Sequence, residues 1–543
     1  MSSDPHNARD FFEKQYYLEV MGSGSKGKSK EYHVGAEEMR QKLNSVSPSF
    51  CLAKWKMVSL HLTNGKTQSC YHNPAHSIPT DELENNPGRL HNTQIKIDER
   101  AQMRAGERPK GCSYCWAVED AKSEDKGGHI SDRHYRSSEW WVADSFEQIR
   151  TPNRELDENV TPSYVEVNFN QACNFKCIYC SPHLSSEWQK EINQYGSFNM
   201  EEIVHNDIPA LQKTGLMPLA VPNEENPYVK AFWAWWPQIY SQLKVFRMTG
   251  GEPLIDANTW RVLDYVHQNP NAQLELFMTS NLCPPKPEIF DRFISQLQKL
   301  EQVQIWEDSS KLNLDSGNFD YVSPAIKYFM LFVSCDSVGA QAEYIRTGMN
   351  FTILKSNVES VLKKTNGTAV SFINTFNLLS LPKLKEFLQW ILELRETFSF
   401  DSQNDDPIEI PDKRGIKHRP YVRKKRQRIW FDIPMLSYPP WLNVKLLAGT
   451  EWEQHIEDCL RFMESNLQKD DYDTSFRGFK PYEILKLKRN LAVMKQGFSE
   501  ADQTLNEKRF AQYVNELDRR RGTRFLSAFP EMESFYNKAV RHL

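Results

Sequence analysis

Residues 164–183, YVEVNFNQACNFKCIYCSPH, decide how the chain is organised. The opening YVEVNF is β-branched, aromatic and alternately apolar, which predicts a strand. The loop leaving it carries Cys173, Cys177 and Cys180 in a CxxxCxxC pattern. Further along, short apolar stretches recur as KVFRMT (244–249), LELFMT (274–279), YFMLFVS (328–334), TAVSFINTF (368–376) and RIWFDI (428–433). Helical patterns such as NTWRVLDYVHQ (258–268) and KLKEFLQWILELRE (383–396) fall between most of them. That alternation predicts βαβ units on a parallel sheet, hence an α/β fold. Six units are too few for a complete eight-fold barrel, so the expectation is a partial (β/α)6 TIM-like barrel with its mouth at the carboxyl ends of the strands.

Outward from this core, the expected organisation is an N-terminal extension (1–48) and a Cys-rich unit (49–125). A polar linker (126–158), the barrel (159–445) and a helical C-terminal extension (446–543) follow. Long insertions interrupt the barrel near 189–240 and 302–325, and the Gly- and Ser-rich stretch 22–31 reads as a flexible loop. The chain has 543 residues, 39% hydrophobic and 25% charged, as expected of a folded chain of more than one domain. A net charge of −4 supplies no global attraction to nucleic acid or anionic membrane. No secretory signal or long apolar run is present, so a cytoplasmic location without membrane contact is expected.

Seven of the ten cysteines fall in two spaced groups, a pattern that in a reducing compartment points to metal or cluster ligation rather than disulfides. Cys283, Cys335 and Cys459 stand alone. The short loop 173–180 can wrap three thiolates around one four-iron cube and leave the fourth iron open. Structural zinc usually takes four ligands in paired spacing, and no fourth is obvious here. The second strand runs into MTGGEPLI (248–255), where Gly250 and Gly251 allow close backbone approach and the Glu252 carboxylate can accept from an ammonium group.

The three cysteines, with Tyr179 before the last of them, and the later Gly250-Gly251-Glu252-Pro253 element resemble the radical S-adenosylmethionine superfamily. The resemblance implies that Cys173, Cys177 and Cys180 hold a catalytic 4Fe-4S cluster whose open iron chelates S-adenosyl-L-methionine. It implies further cofactor contacts from Tyr179, Gly250, Gly251, Glu252, Pro253, Thr279, Asn281, Ser334, Asp336, Arg346 and Asn374. Thr279-Ser280-Asn281 departs from the Thr-Asn-Gly-like turn expected there. Glu252 is the candidate for the methionyl amine and Arg346 for its carboxylate, although Arg346 also suits a helix-surface salt bridge. Ser334 and Asp336 match positions that contact the ribose, and Asn374 suits an adenine or methionyl contact or a strand-end turn. The implied reaction is reductive cleavage to a 5′-deoxyadenosyl radical that removes a substrate hydrogen, with electrons from a donor such as flavodoxin or ferredoxin.

Upstream, Cys51 and Cys70 flank an Asn64-Gly65 hairpin signal, and GCSYCW adds Cys112 and Cys115. Their spacing and position before the barrel resemble the radical enzymes with an N-terminal twitch domain, related to SPASM domains. This implies an auxiliary 4Fe-4S cluster, closed by four thiolates and suited to electron transfer or pocket structure. Zinc satisfies the same four cysteines. His72 and His76 read as loop residues. The basic stretch 413–430, with Tyr421 and Trp430, is a candidate for RNA contact or a solvated loop. Trp233, Trp235 and Trp236 suit helix packing. The expected substrate is a peptide or protein; RNA, carbohydrate or another small metabolite follows. A non-catalytic metal-stabilised binding protein is the rival class, and Glu252 beside an open three-cysteine loop argues against it.

Overall fold

The structure is a computed structural model and describes residues 35–121, 129–301, 304–305, 322–323, 325–398, 410–411, 417–418, 428–468 and 477–543. It is a mixed α/β architecture on one nine-stranded sheet. Three short strands come first, β1 (Met57–His61), β2 (Lys66–Gln68) and β3 (His76–Ser77). The six expected from the sequence follow as β4 (Tyr164–Asn168), β5 (Val245–Thr249), β6 (Asn271–Ser280), β7 (Ile326–Ser334), β8 (Thr368–Ile373) and β9 (Ile429–Asp432). Their spatial order is β9-β8-β7-β6-β5-β4-β1-β2-β3, and the run from β4 to β9 is parallel throughout.

The hairpin around Asn64-Gly65 forms as expected, but its first strand does more than carry cysteines. β1 pairs in parallel with β4, placing Ser59 beside Glu166 and His61 beside Asn168, so the Cys-bearing unit and the six-strand run share one sheet. Nor is the polar connector a spacer. Trp141, Val142, Phe146 and Ile149 are buried in one core with Met39 and Leu43 of α1 (Ala36–Val46) and with Trp55, Met103 and Trp116. That core also takes residues of α2 (Gln94–Arg104) and α3 (Ser113–Glu119), α4 (Asp132–Ser137) packs on α1, and Tyr164 and Val245 join the core to the sheet. The apolar residues of 141–149 outweigh the charge and glycine that precede them.

Along β4–β9 one face is dry: Val165, Val167, Phe246, Met248, Leu276, Leu331, Val370 and Phe431 are all buried against helices. Those helices include α5 (Ser186–Tyr195), α6 (Pro227–Ile239), α7 (Ala257–Gln268), α8 (Pro287–Glu301), α9 (Gly339–Ile345), α10 (Phe351–Lys364) and α11 (Leu384–Phe398). Such burial under crossover helices is the usual condition of parallel strands. The insertion near 189–240 contains α6, in which Trp235 and Trp236 are buried and Trp233 donates to Asn258, the helix packing its sequence suggests.

The C-terminal segment is helical, with α12 (Glu451–Ser465), α13 (Pro481–Met494), α14 (Glu500–Arg521) and α15 (Glu533–Val540), and it packs into the same core rather than beside it. Among the described residues no helix is long and apolar enough to cross a membrane. Residues 22–31 and Tyr421 lie outside the described residues, as do most of 302–325 and of 413–427. Within the basic stretch, Arg428 and Trp430 are buried, and Arg428 donates to the carbonyls of Thr368 and Leu362. These two side chains are core, not an RNA-facing surface.

Candidate metal centre and cofactor site

The loop after β4 turns at Asn170, whose side chain accepts from Ala172 N at 2.6 Å. Cys177 then lies in a two-residue ladder, Lys176–Cys177 against Arg346–Thr347. Several bonds fix the loop from outside. Ser186 Oγ accepts from Cys173 N at 3.1 Å, Trp188 Nε1 donates to Cys177 O at 2.8 Å, and Tyr513 of α14 donates to Ile178 O. Arg521, at the end of α14, donates to Lys176 O at 3.1 Å and pairs with the buried Glu191, which also holds Lys176 at 2.7 Å. Burial pushes the Cys173 thiol up to about 12 and raises Cys177 and Cys180 as well; Arg346, donating to Cys177 Sγ at 3.5 Å, acts in the opposite sense. Such thiols are protonated at neutral pH, so metal binding must displace their protons.

The GGEP element closes directly on this loop. Gly251 N donates to Asn170 O at 3.2 Å and Glu252 N to Ala172 O at 2.7 Å. A Cβ on Gly251 would meet the Ala172 carbonyl oxygen at 2.1 Å, and Gly250, at φ +127°, presses on Asn168 and Asn170. Glu252 is buried, and its carboxylate accepts from Leu254 N at 3.0 Å, Ser280 Oγ at 2.7 Å and Asn281 N at 2.7 Å. Burial raises its pKa to about 7 against those bonds. The side chain expected to meet an amine therefore also ties the turn after β5 to the turn after β6.

Asp336 and Arg346 are likewise engaged with each other. Arg346 Nε lies 2.8 Å from Asp336 Oδ2, and that carboxylate also accepts from Tyr179 Oη at 2.7 Å and from Thr375 N at 2.7 Å. Both members are buried, so the surface salt bridge considered for Arg346 is replaced by an internal pair. Tyr179, Cys177, Asp336, Arg346 and Asn374 thus form one network, with Asn374 Nδ2 donating to Asp336 O at 2.8 Å. Asn374 Oδ1 and Asn168 Oδ1, at the ends of β8 and β4, are buried without a hydrogen-bond partner. Such atoms are costly unless a ligand or water completes them. Asn281 is held by Asn174 at 2.8 Å, Thr279 accepts from Arg247 at 3.2 Å, and Ser334 is half-buried at the end of β7. Pro253 begins a buried one-turn helix behind Glu252.

The four upstream cysteines come together. Cys51, Cys70, Cys112 and Cys115 all line one small cavity. Lys54, Arg133 and Arg136 line it too, against the single carboxylate Asp132. Most of the carboxylates that partner these cations stand outside the lining: Glu99 holds Lys54 at 2.5 Å, Glu119 holds Arg133 at 2.9 Å and Glu139 holds Arg136 at 2.7 Å, while Asp132 within it lies 3.6 Å from Arg136. A cation-lined space among four thiols suits a group that is anionic once thiolate-bound, although the four sulfurs are not grouped as a single bound zinc ion requires. Burial lifts Cys112 to about 12, with Lys54 acting against it, and also raises Cys51 and Cys115. His72, expected in a loop, stacks on Tyr114 with centroids 3.7 Å apart and lines the cavity; His76 lies in β3, bonded to Thr93 at 2.8 Å. The cations had no motif to mark them: Arg133 and Arg136 sit on α4, inside the charged stretch expected to be a linker.

All ten cysteines are free thiols, and Cys283, Cys335 and Cys459 are buried in the core. Among the described residues, no three His, Cys, Asp or Glu side chains are grouped to hold a metal ion. The thiolates of a four-iron cube bind separate irons rather than converging on one atom. No protein-family model matches the chain, and neither a curated protein nor a solved structure matches it.

Proposed function

We propose that the chain is a radical S-adenosylmethionine enzyme, with a catalytic 4Fe-4S cluster on Cys173, Cys177 and Cys180 and an auxiliary cluster on Cys51, Cys70, Cys112 and Cys115. The observation that carries this reading is the backbone contact between the CxxxCxxC loop and the GGEP turn. These motifs are about 70 residues apart in sequence, yet the Gly251 contact leaves no space for a Cβ. They meet where β4 and β5 end, and active sites of parallel α/β folds gather at that edge. In this reading β4–β9 form the partial (β/α)6 barrel.

S-adenosylmethionine bound at such a centre supplies a 5′-deoxyadenosyl radical on one-electron reduction. The chain's own residues bind and orient. Glu252 Oε2 faces Asn281 N and retains acceptor capacity for an amine. Arg346 and Asp336 brace Cys177 and Tyr179, and Asn374 Oδ1, Asn168 Oδ1 and Gln171 Oε1 are among the buried polar atoms without a partner that a cofactor could use. The substrate is a peptide, protein or small metabolite, and the electron donor is a flavodoxin or ferredoxin.

The test is metal analysis and electron paramagnetic resonance on anaerobically reconstituted protein, with S-adenosylmethionine and dithionite added and 5′-deoxyadenosine assayed. About eight irons per chain, a spectrum perturbed by the cofactor and nucleoside release are expected. Four irons and one zinc retain the enzyme and replace the auxiliary cluster. Zinc alone, with no cleavage, leaves a metal-stabilised binding protein.

A further inference from the structure

The face of β4–β9 turned away from the helices is not filled like its opposite. Part of it is closed by a cluster of Tyr328, Met330, Ala369, Trp430 and Tyr482. Beside it, Glu166, Arg247, Thr279 and Phe332 keep partial exposure, although their strands lie inside the sheet. Partial barrels with dry interiors carry branched apolar residues in such layers. Here Glu166 and Arg247 are register partners on adjacent strands, and Arg247 Nε lies 3.4 Å from Glu166 Oε2.

The pair is held in place from three sides. Tyr71 Oη donates to Glu166 Oε2 at 3.0 Å, Arg247 Nη2 donates to Thr279 at 3.2 Å, and the guanidinium lies 4.5 Å from the Phe332 ring centroid. Arg247 Nε is buried and makes no hydrogen bond beyond its 3.4 Å ionic contact with Glu166. An ion pair inside a sheet is seldom more stable than apolar residues of the same volume, so stability does not explain why one is here. Its position does. Arg247 is three residues before Gly250, and Glu166 is seven before Cys173, so the pair lies about 7 Å below the strand ends at the usual rise per residue. On the other side Tyr71, next in sequence to Cys70, reaches Glu166. The pair therefore lies between the two cysteine groups.

We propose that Glu166 and Arg247 anchor the head group of an α-amino-acid substrate, a reading that rests on the radical function proposed above and names its substrate class. The pair is charge-balanced, which favours a ligand bearing both signs over a net anion or cation. The substrate carboxylate binds the guanidinium, whose planar fork suits it, and the ammonium binds Glu166. Phe277, level with Arg247, and Phe332, against its guanidinium, give the side chain apolar neighbours.

The test is calorimetric titration of the reconstituted protein with a panel of free L-amino acids, their N-acetyl derivatives, their amides and dipeptides made from them. At least one free amino acid is expected to bind, and its N-acetyl and amide forms at least about tenfold more weakly, the range of one charged hydrogen bond. Arg247→Met should abolish the discrimination between acid and amide, and Glu166→Gln that between amine and N-acetyl. Circular dichroism and iron content of both variants control for folding. Equal binding of all forms, tighter binding of dipeptides than of free amino acids, or no binding at all overturns the proposal. The same preparation is assayed for 5′-deoxyadenosine: release without head-group-dependent binding defeats this inference alone, whereas such binding without release defeats the radical reading and leaves an amino-acid site.

Discussion

Gly251 has a carbonyl oxygen where any other residue would carry its Cβ, 2.1 Å away on Ala172. That oxygen belongs to backbone, so Gly251→Ala cannot be absorbed by a rotamer change and must push the 170–173 loop aside, at a cost of about 1–3 kcal/mol. The variant is expected to keep its far-ultraviolet circular dichroism and, on the proposed function, to bind less iron at Cys173, Cys177 and Cys180 after reconstitution. Iron content equal to the unsubstituted protein would show that the loop and the turn do not depend on each other. His205 makes a different prediction. Burial lowers its pKa from 6.5 to about 4, with its ring edge-on to Trp441 and Tyr513. The unfolded chain takes up this proton below pH 6.5 but the folded chain only near pH 4, so stability falls as pH drops through that window. The loss is about 3 kcal/mol by linkage, and denaturant titrations of His205→Phe should show a shallower fall between pH 7 and 4.

Helix α14 makes the loop of Cys173–Cys180 dependent on the far end of the chain. Tyr513 and Arg521 reach the carbonyls of Ile178 and Lys176, and Arg521 shares Glu191 with Lys176. Arg521→Ala strands a buried carboxylate with one cation in place of two. The expected cost is about 2–3 kcal/mol, below the usual penalty for breaking a buried pair because Lys176 remains. Thermal melting should move down and, on the proposed function, iron reconstituted at Cys173, Cys177 and Cys180 should be released faster to a chelator; an unchanged chelation rate would make α14 mere packing. None of this was legible beforehand, because Tyr513 and Arg521 sit in a Lys- and Glu-rich helix without a motif. The strands were legible, since alternation and β-branching mark YVEVNF or YFMLFVS from local residues alone. The pairing of Arg346 with Asp336 was not, because two buried charges are read as ligand contacts until their mutual distance is known. The cations lining the four-cysteine cavity were hidden for a similar reason: local composition at 122–139 is that of a linker, whereas α4 packs on α1 and bonds Phe50 O and Leu52 N through Arg133 and Ser137.

Across the whole molecule, the decisive feature is the parallel pairing of β1 with β4. Without β1–β3 the run β4–β9 would end in an exposed parallel edge, and Tyr164 and Val245 would lose the core that covers them. A chain beginning at residue 161 is therefore expected to aggregate, detected as a void-volume species in size-exclusion chromatography with light scattering. A monomer that still binds iron would show the upstream unit to be an appendage. The same pairing bears on how such a protein can change over generations. A cysteine-bearing unit joined through a linker can be lost, duplicated or traded between genes, because each half keeps its own surface. Here the seam is a ladder of main-chain hydrogen bonds, and a substitute unit would have to present a strand of the same length, direction and register to β4. Inheritance of the two cysteine groups is thereby tied together, and the upstream group is free to drift in sequence but not to leave.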